Sequence, residues 1–274
     1  MTESRFRPVL LCGLPAVLAC FEKRPSALKR LWLSRNLNKP LGEVCKWMAQ
    51  EHRAYSDADE RELAYVAGHG AHGGVVAATE RPLPGVPKPS DYADWQAASV
   101  PLLFLENIAD PLQIGAIARV AVGMGLTRLI LSGTSVEAAY HERAWSTSGG
   151  ALDSLTLHDA GEVLTGVLRA LRERFCIVGF TRPGGRRVDE IKPIRAPGRP
   201  LAIVLGDGET GISSGVAGKC EYLLHIPGAG GSTLLNGADA AAFGLPWLLR
   251  KDHKSKGVGF LARKRGKAIG AVGA

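Results

Sequence analysis

Two glycine-rich loops near the carboxyl end carry the chain's clearest chemical signal. Residues 201–245 read LAIVLGDGETGISSGVAGKCEYLLHIPGAGGSTLLNGADAAAFGL. The apolar runs Leu201–Leu205 and Tyr222–Ile226 each end in turn residues, as buried strands of a mostly parallel sheet do. Glycines leaving the carboxyl ends of such strands let backbone approach a small ligand closely. The chemistry this favours is the holding of an organic cofactor by main-chain amides and carbonyls. Asn236 opens an Ala-rich helix directly behind the second loop, where its side chain suits a helix N-cap.

Other chemistries find less support. Gly206-Asp-Gly-Glu-Thr-Gly211 matches the dinucleotide fingerprint G-x-G-x-x-G after a strand. That fingerprint belongs in the first strand-to-helix turn of a unit with several strands still to come, whereas here one strand and one long helix remain. The five cysteines are scattered, without a Cys-x-x-Cys pair, and the seven histidines are unclustered, so no metal-ligand spacing exists. Reduced thiols in a cytoplasmic protein are the expectation. The apolar run Val9–Phe21 imitates a secretory signal, but Gly13-Leu14-Pro15 interrupts it and Pro15 suits the first turn of a helix. No apolar run approaches the roughly 20 residues of a membrane span.

The elements that must position the loops fall into a two-domain α/β pattern across 274 residues. Residues 1–80 read as a compact α/β domain: helices near Pro15–Lys23, Leu41–Glu51 and Asp59–Ala67 (the last behind an acidic cap at Asp57), and strands near Arg30–Ser34 and Gly74–Ala78. Residues 81–100, with four prolines, read as a linker. Residues 101–250 alternate strands (102–105, 128–131, 155–157, 176–180) with helices (114–123, 142–146, 160–174) before reaching the two loops. Residues 251–274 form a basic tail. From Arg250 onward there are eight Lys or Arg against Asp252 alone, in a chain of net charge +8, which points to a polyanion such as nucleic acid.

Three ordered blocks resemble the SpoU/TrmH family of RNA ribose 2′-O-methyltransferases. They are Asp110-Pro-Leu-Gln-Ile-Gly-Ala-Ile-Ala-Arg119, Ile203-Val-Leu-Gly-Asp-Gly-Glu-Thr-Gly-Ile-Ser213, and Ile226-Pro-Gly followed by Leu235-Asn-Gly-Ala-Asp-Ala-Ala-Ala242. Ser148-Gly-Gly-Ala151 is similar to a further family element. Gly13-Leu-Pro-Ala-Val17 and His72-Gly-Gly-Val-Val76 resemble the family's small RNA-binding domain. The resemblance implies a trefoil-knotted parallel-sheet methyltransferase domain, S-adenosylmethionine as cofactor, no metal, a homodimer, and an RNA substrate (rRNA favoured over tRNA). It places the cofactor at Leu205, Gly206, Ile226 and Leu235. Arg119, Asn236 and Glu209 take the catalytic positions, while Gln113, Ser148 and His72 face substrate.

For Arg119 the chemistry is electrostatic lowering of the hydroxyl pKa, or phosphate anchoring, because a guanidinium stays charged. Departures from the family pattern are Gln113 for asparagine, Asp207 for asparagine, Gly208 for glutamate with Glu209 one position along, and Leu234 for serine. They leave two readings open, an enzyme and a divergent non-catalytic RNA-binding member of the same fold.

Overall fold

The computed structural model describes residues 6–181, 185–190, 198–227 and 235–250. The basic tail 251–274, Leu234, and three of the six Lys and Arg that cluster between positions 182 and 199 (Arg182, Lys192 and Arg195) lie outside the described residues.

The amino-terminal unit is a four-stranded mixed sheet in the order β1-β4-β2-β3, built from β1 (Phe6–Cys12), β2 (Leu28–Leu33), β3 (Ala54–Asp57) and β4 (Val75–Pro82). β4 runs antiparallel to both neighbours, and β2 and β3 are parallel. The signal-like apolar run divides where Gly13-Leu14-Pro15 falls. Val9 and Leu11 bury themselves from β1, Gly13 turns the chain at φ 93°, and Pro15 starts α1 (Leu14–Lys23). α2 (Gly42–Gln50) and α3 (Glu60–Ala67) follow. The cap of α3 is Asp59, which accepts from the Glu62 amide at 2.8 Å, and not Asp57, the last residue of β3.

Residues 81–100 are not a bare linker. They hold α4 (Pro89–Ala97), whose first proline fills a position that needs no amide, while Asp91 accepts from the Lys88 N–H at 2.8 Å. Tyr92 and Trp95 are buried against Leu102, Phe104 and Ile130 of the second unit.

That second unit is a seven-stranded, wholly parallel sheet in the order β7-β6-β5-β10-β8-β11-β9. Its strands are β5 (Leu102–Glu106), β6 (Arg128–Ser132), β7 (Thr156–Asp159), β8 (Cys176–Phe180), β9 (Arg186–Arg187), β10 (Leu201–Gly206) and β11 (Tyr222–His225). Every residue of β5, β8 and β10 is buried, which is why they read as unbroken apolar runs. The helices are α5 (Pro111–Gly123), α6 (Thr134–Tyr140), α7 (Glu142–Ser148), α8 (Thr165–Leu171), α9 (Ser214–Ala217) and α10 (Gly237–Leu249). A Cβ on Gly115 of α5 would stand 2.5 Å from the Ala144 carbonyl oxygen and 2.9 Å from the Ser148 amide nitrogen, so this glycine permits the close crossing of α5 and α7. Among the described residues no helix is long and apolar enough to cross a membrane.

The two sheets share one apolar core that runs from Leu11, Val17 and Leu28 to Leu103, Ile117 and Trp145. Their seam also holds a buried ion pair. Arg81 makes two hydrogen bonds to the Asp153 carboxylate, both side chains are 1% exposed, and the guanidinium lies 4.1 Å from the Trp145 ring centroid. Burial pushes the Asp153 carboxyl up, while Arg81 and Arg24 pull it down. All five cysteines are free, and burial pushes the Cys12, Cys20 and Cys176 thiols to about 11 and Cys220 to about 12, which makes them poor nucleophiles.

Candidate active site

β10 lies between β5 and β8 at the centre of the parallel sheet, where the strand order changes direction, and ligands of open α/β sheets collect at the carboxyl ends of such strands. The chain leaving β10 makes a closed turn. The Gly211 amide donates to the Asp207 carbonyl at 2.7 Å, and the Glu209 amide donates to Asp207 Oδ1 at 2.8 Å. A Cβ on Gly206 would stand 2.2 Å from the Gly211 carbonyl oxygen, and one on Gly208 would stand 2.7 Å from Asn236 Cα. Backbone therefore packs on backbone here, with no space for side chains.

The start of α10 closes the other side. Asn236 Oδ1 accepts from the amides of Ala238 (2.8 Å) and Asp239 (3.1 Å), and Asp239 Oδ2 accepts from the Asn236 amide at 3.0 Å. This reciprocal cap fixes the helix entry. The Gly237 amide, one of the donors a helix start leaves unpaired, goes instead to Gln113 Oε1 at 3.1 Å. The longer arm of Gln113 thus ties α5 to α10.

The structure brings Leu205, Gly206, Glu209, Gln113, Leu235 and Asn236 into one neighbourhood. Glu209 is exposed on the turn, Leu235 is half-buried, and half-buried Ile226 follows β11 on the same edge of the sheet. Arg119 is exposed on α5, six residues beyond Gln113 and so about 9 Å further along the helix on a different face.

Two residues expected to face substrate, Ser148 and His72, are buried. Ser148 donates to the Trp145 carbonyl at 2.8 Å and accepts from the Leu152 amide at 3.4 Å, at the end of α7. His72 is 1% exposed, accepts from the Gly74 amide at 3.2 Å, and sits 3.2 Å from Glu60, which makes it a loop-holding residue of the amino-terminal unit. Among the basic residues between β8 and β10, Arg187 pairs with Asp189 and Glu190, and Arg199 pairs with Glu221.

Sequence reasoning missed Glu106. This buried residue ends β5, and its carboxylate accepts from both the Ser213 amide (2.8 Å) and the Ser213 hydroxyl (2.7 Å). Ser213 in turn caps α9. The available signal was an acid closing an otherwise apolar strand. Glu106 thereby fixes the far end of the 207–213 turn.

The neighbourhood fits a small organic cofactor better than a metal. The turn at Gly206 packs backbone on backbone and so presents main-chain groups rather than side chains, and among the described residues no three His, Cys, Asp or Glu converge as ligands.

Two segments match known families. Residues 101–245 match the SpoU rRNA Methylase family, and residues 10–84 match the domain described as RNA 2′-O ribose methyltransferase substrate binding. An uncharacterized tRNA/rRNA methyltransferase of Haemophilus influenzae is 23% identical over 76% of this chain, and the matched region spans only 57% of that longer protein. The 23S rRNA (guanosine-2′-O-)-methyltransferase RlmB of Pseudomonas putida is 28% identical over 82% of this chain and 89% of its own. Among solved structures, an RNA 2′-O ribose methyltransferase superposes with a TM-score of 0.70 at 21% identity, covering 90% of this chain and 89% of that one. An AdoMet-bound rRNA methyltransferase from Sinorhizobium meliloti superposes at 0.66 with 18% identity, covering 88% and 87%. These structural likenesses concern the fold.

Proposed function

The chain belongs to the SpoU family of RNA 2′-O-ribose methyltransferases, and from that premise we propose that it methylates a ribose 2′-hydroxyl in structured RNA, rRNA rather than tRNA, using S-adenosylmethionine. The observation that carries this reading is the backbone-on-backbone turn at Gly206–Gly211, set against the capped start of α10. S-adenosylmethionine supplies a methyl group already activated on a sulfonium, so the protein's task is to position the hydroxyl and ease its proton loss. Leu205, Gly206, Ile226 and Leu235 hold the cofactor, largely through main chain. Asn236 fixes the helix entry beside it, and Glu209 stands on the exposed side of the turn. The family's trefoil knot, with the last segment threaded through a loop, belongs to the same proposal.

Arg119 provides fixed positive charge for the reacting hydroxyl or the adjoining phosphate. Its exposed face on α5 supports a homodimer in which each copy completes the other's site. Leu112 on α5 and Phe243 and Trp247 on α10 are 46%, 57% and 41% exposed, an apolar surface beside the crevice that a second copy would cover. The preference for rRNA is supported by the amino-terminal unit, whose segment matches a substrate-binding domain, and by the name of the Pseudomonas putida relative.

One observation favours the silent RNA-binding reading. Position 208 lacks the family's carboxylate and lies against Asn236, where a side chain has no room. Calorimetric titration with S-adenosylmethionine and its demethylated product decides between the two. The enzyme reading expects micromolar binding that is lost in Gly206→Leu. Absence of binding, both alone and with RNA present, would leave the silent reading.

A further inference from the structure

A cavity of about 250 Å³ opens at the seam between the two sheets. It is built from the end of β4 and the chain just beyond it, from Arg24, Tyr140 and Trp145, and from Thr156, Leu157 and His158 of β7. β7 is the edge strand, separated by β6 and β5 from the glycine turn of β10, so this cavity is not part of the crevice described above.

Its electrostatics are unbalanced. One buried carboxylate, Asp153, serves two guanidiniums, because Arg81 is bonded to it and Arg24 acts on it through space. Arg24 itself makes one long hydrogen bond, 3.5 Å to the Leu155 carbonyl, and has no carboxylate partner among the described residues. The lining thus carries a surplus cation.

Three lining residues also have a buried nitrogen without a hydrogen-bond partner among the described residues: Arg81 Nε, Trp145 Nε1 and His158 Nε2. Buried polar groups in native proteins are nearly always paired, so three such nitrogens on residues of one lining favour an occupant that can hydrogen-bond. The first two are obligate donors. Burial holds the His158 imidazole below the ordinary histidine range, so it is neutral near pH 7 and offers one donor or one acceptor nitrogen. The remaining lining is apolar, from Leu83, Pro84 and Leu157.

A ligand that answers all of these has acceptor atoms on a flat apolar body joined to an anion. We infer that the seam cavity binds a single nucleotide unit, with its base toward Trp145 and His158 and its phosphate at Arg24. The unit comes either from an RNA strand or from a free mononucleotide. At about 250 Å³ the cavity lies just under the roughly 300–1,000 Å³ that enclose a drug-sized ligand, so it takes the base while the sugar and phosphate lie toward half-buried Arg24. The RNA source rests on the proposed function, whereas the free-nucleotide source does not.

The test is calorimetric titration of the full chain with AMP, GMP, CMP and UMP, repeated with excess S-adenosylhomocysteine to occupy the crevice. Expected is saturable binding of at least one mononucleotide that the competitor leaves in place. Arg24→Gln and His158→Gln, each checked by thermal melting, weaken it at least tenfold. No binding of any mononucleotide, displacement by S-adenosylhomocysteine, or unchanged affinity in both folded variants overturns the inference and leaves the cavity to water. A photocrosslinking single-stranded oligonucleotide separates the sources. Adducts within residues 81–85 or 140–158, competed by the bound mononucleotide, assign the site to RNA, and their absence beside mononucleotide binding assigns it to a free ligand. Because no arm reads methyl transfer, failure of the enzymatic reading and failure of this one are distinguishable.

Discussion

The seam and the crevice solve the same problem, bringing distant parts of the chain together, with opposite materials. At the seam, charged and aromatic side chains do it: Arg81 grips Asp153 and lies over Trp145. At the crevice, backbone does it, because Gly206, Gly208 and Gly237 would each drive a Cβ to within about 3 Å of a neighbouring atom. A side-chain joint can be exchanged for another of equal volume. A backbone joint tolerates only loss of function, since there is no smaller residue to try.

Three perturbations break or sharpen that contrast. The largest effect is expected at the seam. Arg81→Leu leaves Asp153 buried without its partner and lowers stability by about 3–5 kcal/mol, read as a shift in the urea midpoint. The double change Arg81→Met with Asp153→Leu recovers most of it, because a well-packed apolar pair is an adequate substitute. A double variant no better than the single one would show that the charges themselves are needed. Next comes Glu106, where the contrast blurs, because one side chain tethers the backbone turn. Glu106→Ala strands the Ser213 amide and hydroxyl at about 1–3 kcal/mol each and weakens cofactor binding roughly tenfold, with Glu106→Gln intermediate. Melting and calorimetry read the two effects separately. The smallest effect is a pH dependence. His158 has its pKa lowered by burial, so the unfolded chain binds its proton more readily than the folded one. Stability is therefore full above the ordinary histidine pKa of about 6.5 and declines as pH falls through it toward the lower folded value. A melting series from pH 8 to 5 should show this decline, reduced in His158→Gln.

Much of the fold was legible because burial on both faces writes itself plainly. β5, β8 and β10 are uninterrupted apolar runs between turn residues, and all three lie in the sheet's interior. The crevice was legible for a related reason, since glycine spacing reports close backbone approach directly. α4 was not, because Pro89 at a helix start and Pro82, Pro84 and Pro87 in an extended stretch look alike without knowledge of where Tyr92 and Trp95 go. β1 hid in an apolar run shared with α1. The burial of His72 and Ser148 was not legible either, because hydrogen bonding inside a loop leaves the same trace in a sequence as contact with a substrate. Arg81 and Asp153 carried no signal, being paired across 72 residues of sequence.

The place of β10 also governs how the chain comes off the ribosome. Its register aligns Ala202 with Leu102 on one side and with Ile177 on the other, so the middle of the sheet is the last of these three strands to be made. Until Leu201–Gly206 emerges, β5 (apolar up to Glu106) and β8 each present an open hydrogen-bonding edge. The nascent protein thus passes through a stage with a split sheet and two sticky rims, a stage at which pairing between neighbouring nascent chains competes with folding. Chaperone dependence during synthesis, and a refolding yield that falls steeply with concentration, follow from that order of arrival.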